Sequence, residues 1–252
     1  MSPLLEGGWV QAAWQGGLGL VVGSFLALAS VRLPAGEPIV LARSRCRSCA
    51  KALGPHELVP VLSWMIQRGR CRTCAAPIGW RYPVMELSCA GLAAWAALAT
   101  PGLPGALGAL FAWQLLLIAA IDAEHYWLPD RLTLPLAITG LLAAALFEAH
   151  QALDRVVGAA AGFLALAGLA WGYRRLRGRE GLGGGDPRLL AGIGAWVGWQ
   201  GLPLTLLLAS LAGLSLVLAA RLWGRPMAGD DRLPFGAFLA LGAWLSWLHA
   251  TG

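Results

Sequence analysis

Long stretches without one charged side chain restrict this chain more than anything else in it. No Asp, Glu, Lys or Arg falls within Gly7 to Val31, Leu87 to Ile121, Leu132 to Phe147, Val156 to Tyr173, Leu189 to Ala220 or Leu233 to Gly252. A bilayer core of about 30 Å takes about 20 apolar residues as helix, so each run is long enough, or nearly so, to cross a membrane. The 35-residue run from Leu87 is too long for one crossing, and Thr100 to Gly105, TPGLPG, supplies the turn of a hairpin. The 32-residue run from Leu189 holds Gly201-Leu202-Pro203 and reads as a second hairpin. The expectation is an all-α polytopic membrane protein of about eight transmembrane helices. Composition agrees, since 58% of residues are apolar and only 13% charged, against about 25% charged in soluble domains. The first residues lack a basic n-region, so no cleavable signal peptide is expected.

The net charge of +6 does not call for nucleic acid as a partner. With the N-terminus outside, the loops 32–82, 122–131, 174–188 and 221–232 all fall inside and carry 18 of the 19 Lys and Arg residues. Positive loops remain on the cytoplasmic side, so the basic balance is topological. No repeat of 20–50 residues is expected.

The loop 32–82 contains Cys46-Arg-Ser-Cys49 and Cys71-Arg-Thr-Cys74. Two close pairs of thiolates can surround one Zn²⁺ tetrahedrally, and four sulfurs leave no position open for water, so the metal would be structural. Thiols facing the cytoplasm stay reduced, which disfavours disulfides. Cys89, within a span, reads as a small packed apolar residue.

Acids are few enough that their positions matter. Asp122 closes one apolar run, and Asp186 opens another after Gly183-Gly184-Gly185, a G-x-G-D pattern. Each has a competing role: Asp186 could cap the helix that begins at Pro187, and Glu124 and Asp130 share the short loop with Asp122. Asp130, before Arg131, reads better as a cap. As a pair, Asp122 and Asp186 could share a proton at one membrane face and activate water against a peptide carbonyl. Glu86, just inside the second span, is either a functional acid or a partner of Arg81. His56, His125, His150 and His249 show no ligand spacing.

These pieces resemble the bacterial type IV prepilin peptidase family over nearly the whole chain. The stretches that carry the resemblance are GLVVGSFLALASVRLP, SRCRSC, VPVLSWMIQRGRCRTC, RYPVMEL, IDAEHYWLPDRLTLP, GLGGGDPRLLAGIGAWVGW and LPFGAFLALGAW. The resemblance implies catalytic roles for Asp122 and Asp186, zinc on Cys46, Cys49, Cys71 and Cys74, and a link between Gly69 and methylation. It further implies a prepilin or pseudopilin substrate with a basic leader and a hydrophobic helix, cut at the cytoplasmic face of the bacterial inner membrane among its lipids. The new N-terminus would be methylated from S-adenosylmethionine. On this reading residues 1–31 are the first span, 32–82 the zinc-binding and possible methyltransferase loop, and 83–252 the peptidase core.

The chain departs from the family pattern at Arg47 and Ala50, where C-P-x-C-G is common, at HELVP, where E-N-x-P is common, and at Arg188, where lysine is usual. These departures bear on methylation more than on cleavage. The alternatives are a peptidase without methyltransferase activity, or a zinc-stapled membrane scaffold or transporter whose acids cap helices or couple protons.

Overall fold

A computed structural model describes residues 3–40, 43–178, 183–224 and 233–251, with side chains from Gly8 onward. Arg179, Arg225 and Arg232, part of the expected inside charge, lie outside the described residues. Among the described residues eight α-helices run in order: α1 (Pro3–Arg32), α2 (Leu62–Ile66), α3 (Arg81–Ala99), α4 (Leu103–His125), α5 (Asp130–Phe147), α6 (Ala152–Arg177), α7 (Asp186–Leu222) and α8 (Phe235–Thr251). No strand occurs among the described residues, only two isolated bridges, Arg45 with Ala52 and Arg70 with Pro77. The chain is an all-helical, multi-pass membrane protein.

Six of these helices are long and apolar enough to cross a membrane, and α8 is a shorter apolar seventh. The expected count of eight spans is reached only by counting the two limbs of α7 separately. The 37 residues of α7 form one element, interrupted at Gly198, where φ is 70° and ψ 177°. The break therefore precedes the expected Gly201-Leu202-Pro203, and Pro203 is helical. Glycine adopts that backbone without strain, whereas proline near the start of a helical limb costs little. The first hairpin turns where expected, between Ala99 and Leu103.

The chain divides into two compact units, residues 1–113 and 114–252, with the boundary inside α4. Helix α3 packs with α1 in the first of these units. In unit 1 those two helices meet at backbone contact. A methyl group on Gly23 would lie 2.5 Å from the Glu86 Cα, and one on Gly19 would lie 2.6 Å from the Cys89 carbonyl oxygen. Small residues at such crossings let dispersion replace the hydrophobic drive that lipid does not supply. At the hairpin end, the Gln11 side chain donates to the Gly102 carbonyl at 2.7 Å and accepts from its N–H at 2.6 Å, closing the turn.

Unit 2 is built around the first limb of α7. One face packs on α6, where a methyl on Gly158 would lie 2.5 Å from the Gly194 carbonyl oxygen and one on Gly162 equally close to that of Leu190. Another face packs on α5, where the Trp196 indole N–H donates to the Leu136 carbonyl at 2.9 Å. Leu189, Leu190 and Ile193 are fully buried between them. The start of α7 is thereby fixed by neighbours on two sides.

Candidate active site and metal centre

Asp122 lies in the last turn of α4 and Asp186 in the first turn of α7, and both are buried, with exposures of 5% and 4%. Tyr126, with φ of 50°, turns the chain out of α4. Gly185, not Asp186, holds the cap position of α7. The Asp186 carboxylate instead folds back to accept the Gly183 N–H at 3.0 Å. The glycine pattern of G-x-G-D therefore serves the acid directly, by bringing a backbone donor to it.

Asp122 meets the start of α8. Its Oδ2 accepts the Ala237 N–H at 2.9 Å, and the Gly236 N–H also points to this carboxylate. A methyl on Gly236 would lie 2.9 Å from that oxygen and 2.7 Å from Leu128 Cδ1. Leu128 is also the neighbour of Gly185, whose methyl would lie 2.5 Å from the Leu128 Cβ. One leucine thus touches the glycine beside each acid, and the Asp122 charge acts on Asp186.

The other acids of the loop are engaged elsewhere. Asp130 is the first residue of α5 rather than its cap, which is Pro129. Its carboxylate accepts from Arg188 at 2.6 Å. Glu124 is exposed, 3.9 Å from the His125 ring. Glu86 is buried and accepts the Val61 N–H at 2.7 Å.

Sequence reasoning missed Gly236 and Ala237. Their signal was present in LPFGAF, where a glycine opens the last apolar run, but nothing local connects it to Asp122.

In unit 1 the sulfurs of Cys46, Cys49, Cys71 and Cys74 all lie within 4.8 Å of one another, and those of Cys46 and Cys74 are 3.8 Å apart. Tetrahedral sulfurs at about 2.3 Å from one Zn²⁺ would be separated by about 3.8 Å, so this donor set fits such an ion. Both pairs share one local design. The Ala50 N–H donates to the Cys46 carbonyl and the Cys46 N–H to that of Lys51, while the Ala75 N–H donates to the Cys71 carbonyl and the Cys71 N–H to that of Ala76, all at 2.9 Å. These are two copies of Arg-Cys-Arg-Ser/Thr-Cys-Ala set 25 residues apart, from Cys46 to Cys71.

The Cys46, Cys71 and Cys74 thiols are displaced from the ordinary cysteine value. The N–H groups of Cys74 and Thr73 bring the Cys71 thiol down to about 6, and the Cys49 and Ser48 N–H groups lower that of Cys46. At Cys74 the Ala76 N–H lowers the value, but partial desolvation and the neighbouring Cys49, Cys71 and Cys46 sulfurs outweigh it and push the thiol up to about 11. Crowded thiolates of this kind are relieved by a shared cation.

Gly69 lies between the knuckles with φ of 66°. Its N–H donates to the Trp64 carbonyl at 2.8 Å, its carbonyl accepts the Ile78 N–H at 2.7 Å, and a methyl there would lie 2.9 Å from the Trp64 ring.

Two family models match the chain in succession: the bacterial peptidase A24 N-terminal domain over residues 18–100, and the type IV leader peptidase family over residues 109–218. Among similar proteins, a prepilin leader peptidase/N-methyltransferase of Burkholderia pseudomallei is 43% identical over 89% of this chain and 81% of its own length. The chain belongs to the type IV leader peptidase family. Proteins of the same description from Aeromonas hydrophila and Pseudomonas aeruginosa are each 39% identical, over 91% and 92% of this chain and 87% and 88% of theirs. No solved structure matches the chain.

Proposed function

We propose that this chain is a prepilin leader peptidase and N-methyltransferase whose peptidase site is the Asp122–Asp186 pair. The observation that carries the reading is the burial of these two acids, 64 residues apart in sequence, beside one shared leucine in unit 2. A pair of close carboxylates can divide the work of peptide hydrolysis. One takes a proton from water as its oxygen attacks the carbonyl carbon, while the other, protonated, donates to the carbonyl oxygen; the departing amine then receives a proton. The hydrogen bonds from Ala237 and Gly183 favour Asp122 and Asp186 in fixed orientations, so little rearrangement is needed.

The substrate would present a basic leader in water and an apolar helix among the spans. The exposed acids near the site, Glu124 and Asp130, would attract such a leader electrostatically. The site would face the cytoplasm at the inner membrane, on the distribution of Lys and Arg. Methyl transfer belongs on this reading to the N-terminal region, because the peptidase model matches 109–218 and a separate N-terminal model covers 18–100, including Gly69 and the four cysteines. S-adenosylmethionine would supply an electrophilic methyl group to the new terminal amine, which loses a proton; the S–CH3 bond would break with its electrons left on sulfur, and S-adenosylhomocysteine would leave. The four cysteines would hold structural Zn²⁺.

Co-expression with a prepilin tests the pair. Asp122→Asn and Asp186→Asn should each leave the precursor at full length, a loss of at least about 100-fold in cleavage, while the protein remains in the membrane. Processing by both single variants would overturn the assignment.

A further inference from the structure

Glu86 places a buried carboxylate where it bonds neither of the acids assigned to cleavage nor any assigned metal ligand. It lies in α3, with 5% exposure, at the point where α1 passes in backbone contact through Gly23. Its Oε2 accepts the Val61 N–H at 2.7 Å, and the Ser24 hydroxyl also hydrogen-bonds it.

Val61 is one of the strained residues of this loop, and the only β-branched one among the described residues. Its φ of 59° and ψ of −53°, with the Leu62 N–H donating to the Pro60 carbonyl at 2.5 Å, form the γ-turn of positive φ. That turn is rare, and a β-branched residue there is a true outlier. Such a backbone persists only where its surroundings over-determine it, and here the Val61 N–H is held by Glu86 while its carbonyl accepts the Met65 N–H at 2.9 Å.

Val61 leads directly into α2, whose Trp64 connects to the rest of the loop. The Trp64 indole N–H donates to the Ile78 carbonyl at 3.0 Å, and its ring packs against Trp80, with centroids 4.3 Å apart, and against Gly69. Gly69 in turn bonds Trp64 and Ile78 through its backbone, two residues before Cys71 of the second knuckle. A continuous set of contacts therefore runs from Glu86 through the Val61 turn and Trp64 to Gly69.

We infer that Glu86 is a positioning residue for methyl transfer: it fastens the Val61 turn to the α1–α3 pair and so sets the place of α2 and Gly69. This rests on the reading that methylation belongs to the N-terminal region. The role requires an acceptor at this position, not a negative charge, and is independent of cleavage.

The experiment uses the full-length enzyme with a purified prepilin and S-adenosylmethionine, following leader loss and the mass of the mature product. Glu86→Leu removes the acceptor, and Val61→Pro removes the donor and reverses the sign of φ without touching the buried acid. Each should lower the ratio of methylation to cleavage at least tenfold, with cleavage within threefold of the parent. Glu86→Gln, whose amide oxygen can accept the same N–H, should restore the ratio to within threefold.

Gly69→Val separates the two ideas. If it lowers the ratio while Glu86→Leu and Val61→Pro do not, the fastening role is wrong and the assignment of methylation to this region stands. If none of the three changes the ratio, both are overturned. Glu86→Gln as defective as Glu86→Leu would also overturn the fastening role, because the acceptor would then not be what matters.

Discussion

A carboxylate in the last turn of α4 faces the negative end of that helix, where its charge is disfavoured. Asp122 escapes this through the first N–H groups of α8, the positive end of another helix, one of which donates to it at 2.9 Å. Gly236 is what allows the approach. Gly236→Val would set its side chain against the Asp122 carboxylate and Leu128, and displacement of a reacting group by about 1 Å costs about 100-fold in rate. Prepilin cleavage by this variant should fall by that order while its thermal transition in detergent changes by only a few degrees; unchanged cleavage would show that α8 does not hold the acid. The two acids were legible because charge-free runs make each remaining carboxylate conspicuous. Gly236 was not, because its partner is 114 residues away and glycine announces no chemistry of its own.

Among the elements, the cysteine knuckles were legible in kind and α7 was not legible in detail. The spacing of the sulfurs pointed to a cluster that could hold a metal, which the structure brings together, but the backbone that holds them was not legible. Ala50 and Ala75, each directly after the second cysteine of its pair, have φ of 57° and 56°. This is the left-handed region in which glycine is unstrained and a Cβ costs about 1–2 kcal/mol. Ala50→Gly and Ala75→Gly should therefore each stabilise the metal-bound loop by about 1 kcal/mol, read as slower loss of metal to a competing chelator. Faster loss would mean that the added flexibility of glycine outweighs the relieved strain. In α7, proline is the louder signal, but the bend lies at Gly198, where packing of the first limb on α5 and α6 ends the helix direction. Only tertiary contact selects between two such breakers. The same contact makes Gly158→Leu a test of the α6–α7 seam: overpacking should cost at least about 1–3 kcal/mol, seen as a lower melting temperature with cleavage reduced in step.

For the molecule as a whole, the arrangement of chemistry follows the two compact units. Both acids assigned to hydrolysis lie in residues 114–252, and the four cysteines, Gly69 and Glu86 lie in residues 1–113. The helices of each unit find their place through apolar and small-residue packing, which does not depend on a metal. The loop between α1 and α3 is different. It offers few buried apolar side chains, Cys71 being the one cysteine of the four that is buried, and a structural Zn²⁺ contributes about 10–16 kcal/mol to the folding of small domains of this kind. If the four cysteines hold Zn²⁺ as proposed, removing it with a chelator should therefore open the knuckles, release the hold on Gly69 and leave the α5–α8 packing intact. The expected result is a loss of at least tenfold in N-methylation with cleavage within about threefold, measured on the same prepilin by product mass and leader release, and recovery on adding Zn²⁺ back. Equal loss of both activities would mean that cleavage also needs the folded loop, and that the division of labour between the units is not the one their residues suggest.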